Sequence, residues 1–160
     1  MQCAITYGKE IIRRNAKKSD ADFKREIISK DRPYHIRMLT AEFNRFIRIR
    51  DRALPCISCD TTAAVKYDAG HYLSVGAHPE LRFNELNCHK QCSNNCNVNK
   101  SGNLIRYRMG LIQKIGIEKV EWLEGPHEHN QLQIHDLKEL KELYKKKNAE
   151  MSAEIANMVE

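Results

Sequence analysis

Four cysteines stand in two closely spaced pairs, and each pair can present two sulfur atoms to one metal ion. Cys56 and Cys59 have two residues between them, and Cys92 and Cys96 have three. Four thiolates are enough for a closed tetrahedral zinc site, which would clamp the intervening chain into a loop. Structural zinc contributes on the order of 10 kcal/mol to folding in small peptides. The spacing therefore predicts a zinc site that braces a modest core.

A redox-active pair and unligated thiols are the two competing interpretations of these cysteines. The N-terminal stretch MQCAITYGKEIIRR lacks the apolar segment of a signal peptide, and no run of 18 apolar residues predicts a transmembrane helix. We therefore expect a cytoplasmic protein without membrane contact, and paired cysteines in that compartment are more often metal ligands than disulfides. Cys3 and Cys88 stand apart from the pairs, and we expect both to be free thiols.

Polar residues between and beside the two cysteine pairs could carry hydrolytic chemistry. His71 follows Asp68 and Gly70, and a histidine can activate water as a general base near neutral pH. Asn97 directly follows the last cysteine, where its carbonyl oxygen could bind Mg²⁺ and the start of a helix would favour a phosphate. Each has a plainer interpretation, since a histidine after glycine is more often structural and asparagine is a good helix N-cap.

The positive charge of the chain is concentrated in its first third. The net charge is +6, and residues 1–55 hold 14 Lys and Arg against 7 Asp and Glu. Such a surplus is an electrostatic footprint for nucleic acid, although a well-solvated helix surface explains it equally well. Arginines in this region could grip phosphates as bidentate donors or simply face water.

Two basic helices are expected ahead of the first cysteine pair. Residues 1–32 read as a basic helix in which Ser19 can act as a cap, and Pro33 indicates a break. A second helix should begin near Thr40 and end before Pro55, with phenylalanines and isoleucines on its apolar side. This second helix is expected to include Arg45, Arg48, Arg50 and Arg52.

The remainder of the chain reads as a small hairpin followed by helices. The alternation of Val65, Tyr67 and Ala69 predicts a strand or hairpin within residues 60–73, and a short second strand is expected from Asn87 to Lys90. Helices are expected over residues 93–115, with an interruption at Ser101–Gly102 and a C-cap at Gly116, and then over residues 117–123 and 134–158.

These patterns predict an α+β fold in three regions. The first, residues 1–54, is basic and helical. The second, residues 55–116, is a zinc-braced core with two strands and a helix. The third, residues 117–160, is helical and is expected to fold as one unit with the core.

The order Cys-x2-Cys, His, Asn, Cys-x3-Cys-Asn resembles the HNH nuclease superfamily with its ββα-metal fold. The stretches IRIRDRALPCISC, YDAGHY, LRFNELNCHKQC and CNVNKSGNLIRYRMGLI more closely resemble the phage NinG/Rap recombination proteins, over roughly residues 33–147. That resemblance implies a phage- or prophage-encoded protein acting in the cytoplasm of a bacterial host. It further implies a structure-specific endonuclease that cuts branched recombination intermediates, including Holliday junctions and D-loops.

The resemblance also implies roles for individual residues. His71 would be the general base, Asn87 would brace the metal loop and position the histidine, and Asn97 would bind the catalytic Mg²⁺ or Mn²⁺. Many HNH enzymes have a metal ligand directly before the catalytic histidine, where this chain has Gly70, so Asp68 is a candidate ligand of the same ion. The four paired cysteines would hold the structural zinc.

Contacts to branched DNA are expected from basic residues in the matching segments and on the second helix. These candidates are Arg45, Arg48, Arg52, Arg82, His89, Lys90 and Lys100. Arg82, His89 and Asn103 would have only supporting roles, such as a phosphate contact or a contact to a residue that binds the metal. A homodimer would match the two-fold symmetry of a junction, with the last helix as a candidate interface.

Two other functions use the same residues differently. A non-catalytic zinc module that binds DNA and recruits recombination factors needs the cysteines and the basic helices, but not His71. A transcription regulator would in addition require base-specific contacts. Substitution of His71 separates the nuclease from the recruiting module.

Overall fold

A computed structural model of the chain describes residues 2–64, 66–129 and 131–158, and among these it describes only the backbone of residues 2–9, 11 and 12. Within the described residues, the chain forms five α-helices and one antiparallel pair of strands, so the predicted α+β class is confirmed. The elements are α1 (Gln2–Lys30), α2 (Arg32–Arg50), β1 (Tyr67–His71), β2 (Cys88–Cys92), α3 (Leu104–Ile115), α4 (Ile117–Glu124) and α5 (Ile134–Asn157). None of the described helices is long and apolar enough to cross a membrane.

Helix α1 is a long basic helix whose described side chains are almost all exposed. Phe23 is 67% exposed and Ile27 is 54% exposed, so these apolar side chains do not join a core. The prediction that Ser19 caps a helix is wrong, because Ser19 lies well inside a helix that begins at Gln2. The predicted free thiol of Cys3 lies outside the described side chains.

The break between the first two helices falls at Asp31, close to the predicted position. The side chain of Asp31 accepts a hydrogen bond from the backbone N–H of Tyr34 at 3.1 Å and so caps α2. Helix α2 then begins at Arg32, and the predicted start near Thr40 is wrong. Pro33 lies in the first turn, where the missing N–H would have no helical partner, so proline opens this helix instead of preceding it.

Helices α2 and α5 enclose the first of two apolar cores. Leu39, Phe43, Phe46 and Ile47 from α2 pack with residues that include Tyr144 of α5. The ring centroids of Phe43 and Tyr144 lie 5.1 Å apart in an edge-to-face arrangement. This core joins an element of the first predicted region to an element of the third.

Strands β1 and β2 pair so that His71 lies opposite Cys88 and Tyr67 lies opposite Cys92. The first strand is shorter than the predicted range of residues 60–73, and the second extends two residues beyond the predicted Lys90. Val65, which belonged to the predicted alternation, lies outside the described residues. The hairpin therefore brings the candidate base close to one core and the second cysteine pair to the other end of the sheet.

The second core lies between α3, α4 and the loop after β1. It contains Tyr107 and Leu111 of α3, which pack with Val120 and Leu123 of α4. A π-helical segment, Ser93–Asn99, precedes α3, and the predicted interruption at Ser101–Gly102 is confirmed. Gly116 ends α3 with φ 87°, a conformation that favours glycine, as predicted for the C-cap.

Candidate functional site

The four paired cysteines converge on one point. The Sγ atoms of Cys56, Cys59, Cys92 and Cys96 all lie within 4.8 Å of one another. Cys92 Sγ is 3.6 Å from Cys56 Sγ and 3.7 Å from Cys59 Sγ. Sulfurs bound tetrahedrally to one zinc ion at about 2.3 Å would be separated by about 3.8 Å, so the donor set and its spacing fit zinc.

Backbone and side-chain donors surround these sulfurs. The backbone N–H of Cys92 donates to Cys56 Sγ at 3.3 Å, and Asn103 Nδ2 donates to Cys96 Sγ at 3.4 Å. Donors of this kind orient metal-binding thiolates and stabilise their negative charge. Asn103, whose φ is 48°, thus contacts a predicted metal ligand, which agrees with the supporting role expected for it.

His71 lies at the end of β1 with one face of its ring toward Phe43 of α2. Its Nε2 atom is 2.8 Å from the carbonyl oxygen of Arg82. A carbonyl only accepts hydrogen bonds, so Nε2 carries the proton and Nδ1 is the basic nitrogen of the neutral ring. Burial lowers the pKa of His71 and keeps the ring neutral near pH 7, although the Arg82 carbonyl opposes this shift. A neutral ring of fixed tautomer is what a general base requires.

Asn97 and Asp68 are joined by a hydrogen bond between the helical segment and β1. Asn97 Nδ2 donates to Asp68 Oδ2 at 3.0 Å. Burial alone would raise the pKa of Asp68, but hydrogen bonds from Ser93 and Asn97 outweigh it, and the pKa is lowered. The carboxylate thus stays ionised, and it fixes the amide of Asn97 so that the carbonyl oxygen remains for another partner.

His71 and Asn97 line the same open cleft, which has a volume of about 520 Å³. Gly70, Ser101 and Leu104 also line this cleft, as do residues of the loop after β1. Asp68 does not line it and reaches it only through Asn97. The structure therefore brings together the predicted base and one predicted oxygen ligand, in a site open to a large substrate.

Asn87 is fully buried and holds the loop that follows β1. Its Oδ1 accepts from the backbone N–H of Leu73 at 2.8 Å, and its Nδ2 donates to the carbonyl oxygens of Leu73 and Leu81. These bonds tie the residues after His71 to the turn that ends at Arg82, whose carbonyl binds His71. Asn87 can therefore act on the histidine only by positioning it, since the buried amide cannot reach a substrate.

The predicted contact between His89 and phosphate is wrong, because the side chain of His89 is only 2% exposed. Its Nε2 donates to the Leu86 carbonyl oxygen at 3.0 Å, and its Nδ1 accepts from Arg50 at 2.9 Å. Burial lowers the pKa of His89, although the neighbouring Asp51 opposes the shift. His89 belongs to a buried polar network around Asp51, a residue that the sequence does not single out.

The other predicted DNA contacts differ in how accessible they are. Arg45, Arg48, Arg52 and Lys100 are exposed. Lys90 donates from Nζ to the carbonyl oxygens of Arg52 and Leu54 at 3.0 and 2.6 Å, so its ammonium is partly engaged within the fold. Arg82 is half-buried and lines a separate cleft with Glu80 and His129. Phosphate contacts by these residues stay predictions.

Sequence reasoning missed one histidine of the cleft. His78 lines it together with His71, and its Nδ1 is 3.2 Å from Glu80 Oε1. His78 belongs to a loop without periodicity and has no cysteine or glycine motif around it, so nothing in the sequence distinguished it. Its side chain is 37% exposed, which leaves it open to a ligand in the cleft.

Comparisons with a family model and with individual known proteins agree on one family. A family model described as Bacteriophage Lambda NinG protein matches residues 3–154. Over 123 residues, or 77% of this chain, the sequence is 47% identical to Protein ninG of Escherichia phage lambda, 46% to that of Salmonella phage P22 and 45% to that of Escherichia phage 933W. The aligned part covers about 60% of the first two relatives and 61% of the third.

No solved structure matches this chain. The family model covers nearly all of the sequence, and the identities to the phage relatives extend well beyond the cysteine pairs and the histidine. The chain therefore belongs to the NinG family of bacteriophage proteins.

Proposed function

We propose that this protein is a metal-dependent, structure-specific endonuclease that cuts branched recombination intermediates such as Holliday junctions and D-loops. The observation that carries the proposal is the shared cleft of His71 and Asn97, next to the cysteine cluster. The order strand, strand, helix around this cleft is the order that the proposal of a ββα-metal nuclease requires, and the cysteine cluster would brace it. The resemblance of the motifs to HNH nucleases supports the same reaction.

The chain supplies a base and an oxygen ligand for hydrolysis of a phosphodiester. A divalent cation such as Mg²⁺ or Mn²⁺, when bound, would polarise the phosphate and stabilise the leaving oxygen. Asn97 would hold the ion through Oδ1, with Asp68 fixing the amide from behind. His71 Nδ1 would take a proton from water while the oxygen of that water attacks phosphorus and the P–O bond to the leaving strand breaks.

Nucleic acid binding is supported by the exposed arginines of α2. Arg45 and Arg48 face solvent on α2, and Arg52 follows directly after the helix. Contacts of this kind hold DNA by its phosphates and do not read sequence, so selectivity would come from the shape of the branch. A homodimer could match the symmetry of a four-way junction, and sedimentation of the protein with and without junction DNA tests that idea.

The decisive experiment compares cleavage of linear, flap, D-loop and four-way DNA by wild type and by His71→Ala, with Mg²⁺ or Mn²⁺ present. We expect nicking of a branched substrate, and a loss of about 100-fold or more in His71→Ala with binding retained. His135→Ala is a matched control, because His135 is an exposed histidine on α5. Equal cleavage by wild type and His71→Ala would refute the assignment of this site.

A non-catalytic module that binds DNA and recruits recombination factors is the second candidate. It is favoured by the contacts of the His71 ring, since Nε2 is bound to the Arg82 carbonyl and Nδ1 lies 3.9 Å from the buried Cys88 Sγ. Such contacts also suit a histidine that only supports the fold. This candidate predicts tight binding to branched DNA and no cleavage with any divalent ion.

A further inference from the structure

Helix α3 exposes an aliphatic ridge beside the candidate cleft. Ile105 is 81% exposed, Met109 is 60% exposed and Leu104 is 51% exposed. Ile105 and Met109 are four residues apart and therefore lie on the same face of the helix. Leu104 is adjacent to Ile105, so the three side chains form one exposed apolar patch, and a contiguous apolar patch beside a cleft can mark an interaction site.

The ridge is continuous with the cleft and held in a fixed relation to His71. Leu104 itself lines the cleft together with His71 and Asn97. On the buried side of α3, the hydroxyl of Tyr107 donates to the carbonyl oxygen of Gly70 at 2.8 Å. Because Gly70 directly precedes His71, this bond couples the position of the helix to that of the candidate base.

The charge of α3 indicates what the ridge meets. The helix sequence LIRYRMGLIQKI contains no acidic residue, and of its three cations Arg108 and Lys114 are held in ion pairs within the fold. Arg106 is exposed next to Ile105, and Lys100 is exposed just ahead of the helix. An apolar ridge between cations suits a ligand with apolar faces and a negatively charged backbone, which describes unstacked nucleotides.

We propose that Leu104, Ile105 and Met109 contact unstacked bases at the branch point of the DNA. Aliphatic side chains that enter a base step replace part of the stacking, and the junction of a branched substrate lowers the cost because its bases are already less well stacked. Arg106 and Lys100 contact the neighbouring phosphates. The ridge selects branched over linear DNA, and its position beside His71 places the branch at the cleft.

The inference rests on the proposed function for its substrate, and its test does not need cleavage. Binding to a four-way junction and to a linear duplex of equal length is measured by fluorescence anisotropy, without added Mg²⁺ or Mn²⁺. A 2-aminopurine base at the branch reports unstacking by an increase in fluorescence. The test variant is Ile105→Gln with Met109→Gln, and the control is Met158→Gln, which changes a methionine that is 77% exposed at the far end of the chain.

We expect wild type and Met158→Gln to prefer the junction and to brighten the 2-aminopurine. In the double variant, we expect the preference to fall about tenfold and the brightening to disappear, with duplex affinity and melting temperature unchanged. An unchanged junction preference and an unchanged 2-aminopurine fluorescence in the double variant would refute the proposed contact between the ridge and the bases. A sedimentation coefficient that differs between the double variant and wild type, with no change in fluorescence, would also refute the proposal. That result would mean that the ridge contacts a second copy of the chain.

Failure of the proposed function gives different results. If junction preference and 2-aminopurine brightening depend on the ridge but no divalent ion supports cleavage, the nuclease proposal is refuted. The proposal that the ridge contacts unstacked bases is then still supported. If wild type binds junction and duplex with equal affinity, the proposal of a branched substrate and the proposal that the ridge contacts its bases are both refuted.

Discussion

Gly70 lies directly against Gln91 across the β-hairpin. A Cβ atom at position 70 would come within 3.0 Å of Gln91 Cβ and closer still to Gln91 Oε1. Gln91 is fully buried, and its Nε2 donates to Ser58 Oγ at 2.7 Å and to the Gly102 carbonyl oxygen at 2.6 Å. The position before His71, where many HNH enzymes have a metal ligand, has no room for a side chain here.

Replacement of Gly70 by Ala tests this packing. We expect a loss of about 1–3 kcal/mol in the free energy of unfolding, because the buried Gln91 side chain must move and give up hydrogen bonds. For a chain of this size, that loss corresponds to a melting temperature lower by about 2–4 °C per kcal/mol. Gly76→Ala is the control, since a Cβ at Gly76 meets nothing within 4 Å. Equal melting temperatures of the two variants would contradict the prediction.

Zinc content provides a direct test of the cysteine cluster. We expect one zinc ion per chain in the purified protein, measured by elemental analysis, and loss of that ion together with a large drop in melting temperature in Cys96→Ser. Cys88→Ala is the matched control, because Cys88 is equally buried but lies in the first core, away from the four sulfurs. A zinc content that survives Cys96→Ser would show that these cysteines do not bind the metal as a set.

The features predicted from the sequence are those that local spacing determines. Two short cysteine spacings were enough to predict the cluster, and Gly116 indicated where α3 ends. The burial of His89 could not be predicted, because it depends on Asp51 and Arg50, which are distant in sequence and reach it only once β2 packs beside the end of α2. The start of α2 was missed because Pro33 opens a helix as readily as it ends one.

The relation between Gly70 and Gln91 was equally inaccessible to sequence reasoning. It depends on the strand register, in which Gly70 pairs with His89 and Gln91 pairs with Asp68. A shift of one residue would move every side chain to the other face of the hairpin. The cleft residue His78 was also missed, since a loop histidine has no periodic pattern that would place it beside His71.

Asn97 should affect the metal requirement of cleavage more than its rate at saturating metal. If its carbonyl oxygen binds the divalent ion, Asn97→Ala raises the Mg²⁺ concentration for half-maximal cleavage by about tenfold or more. We expect Asp68→Ala to act in the same direction, because it removes the acceptor that orients the amide. Asn95→Ala, at an exposed position of the same π-helical segment, should change nothing. Unchanged metal titrations for Asn97→Ala would exclude it as a ligand.

The pH dependence of cleavage should reflect the buried environment of His71. A general base acts in its neutral form, so the rate rises with pH up to the pKa of His71 and is level above it. Burial lowers that pKa below the ordinary value of about 6.5. The expected profile is therefore flat from about pH 7 upward and falls only in more acidic buffer. Single-turnover rates on a branched substrate measure this, and an acid limb centred above pH 7 would contradict it.

Asp51 is the buried carboxylate on which the end of α2 depends. It is 1% exposed, and Arg50 donates to it from Nε and from a terminal nitrogen, both at 2.9 Å, while Lys114 Nζ lies 2.8 Å away. Burial would raise the pKa of Asp51, but the hydrogen bonds from Arg50 and Lys114 and the positive charge of Arg50 lower it far below the ordinary value. Arg50→Leu removes one of the two cations bound to this carboxylate and leaves Lys114 as the other, so the cost should be about 3 kcal/mol at pH 7, the lower end of the range for breaking a buried ion pair.

The same substitution has a pH signature that distinguishes lost charge pairing from lost packing. Because the folded pKa of Asp51 is depressed, its contribution is present above the unfolded value of about 4 and is lost as the pH falls below it. Arg50→Leu weakens that contribution, so its stability should fall less steeply with acid than that of wild type. Urea unfolding should show that the difference in free energy of unfolding between wild type and Arg50→Leu is smaller at pH 3 than at pH 7.

Arg48→Leu, at an exposed arginine of the same helix, is the control, and its free energy of unfolding should stay within about 0.5 kcal/mol of wild type at both pH values. An equal difference in free energy of unfolding between wild type and Arg50→Leu at both pH values would mean that Arg50 contributes through packing of its side chain alone.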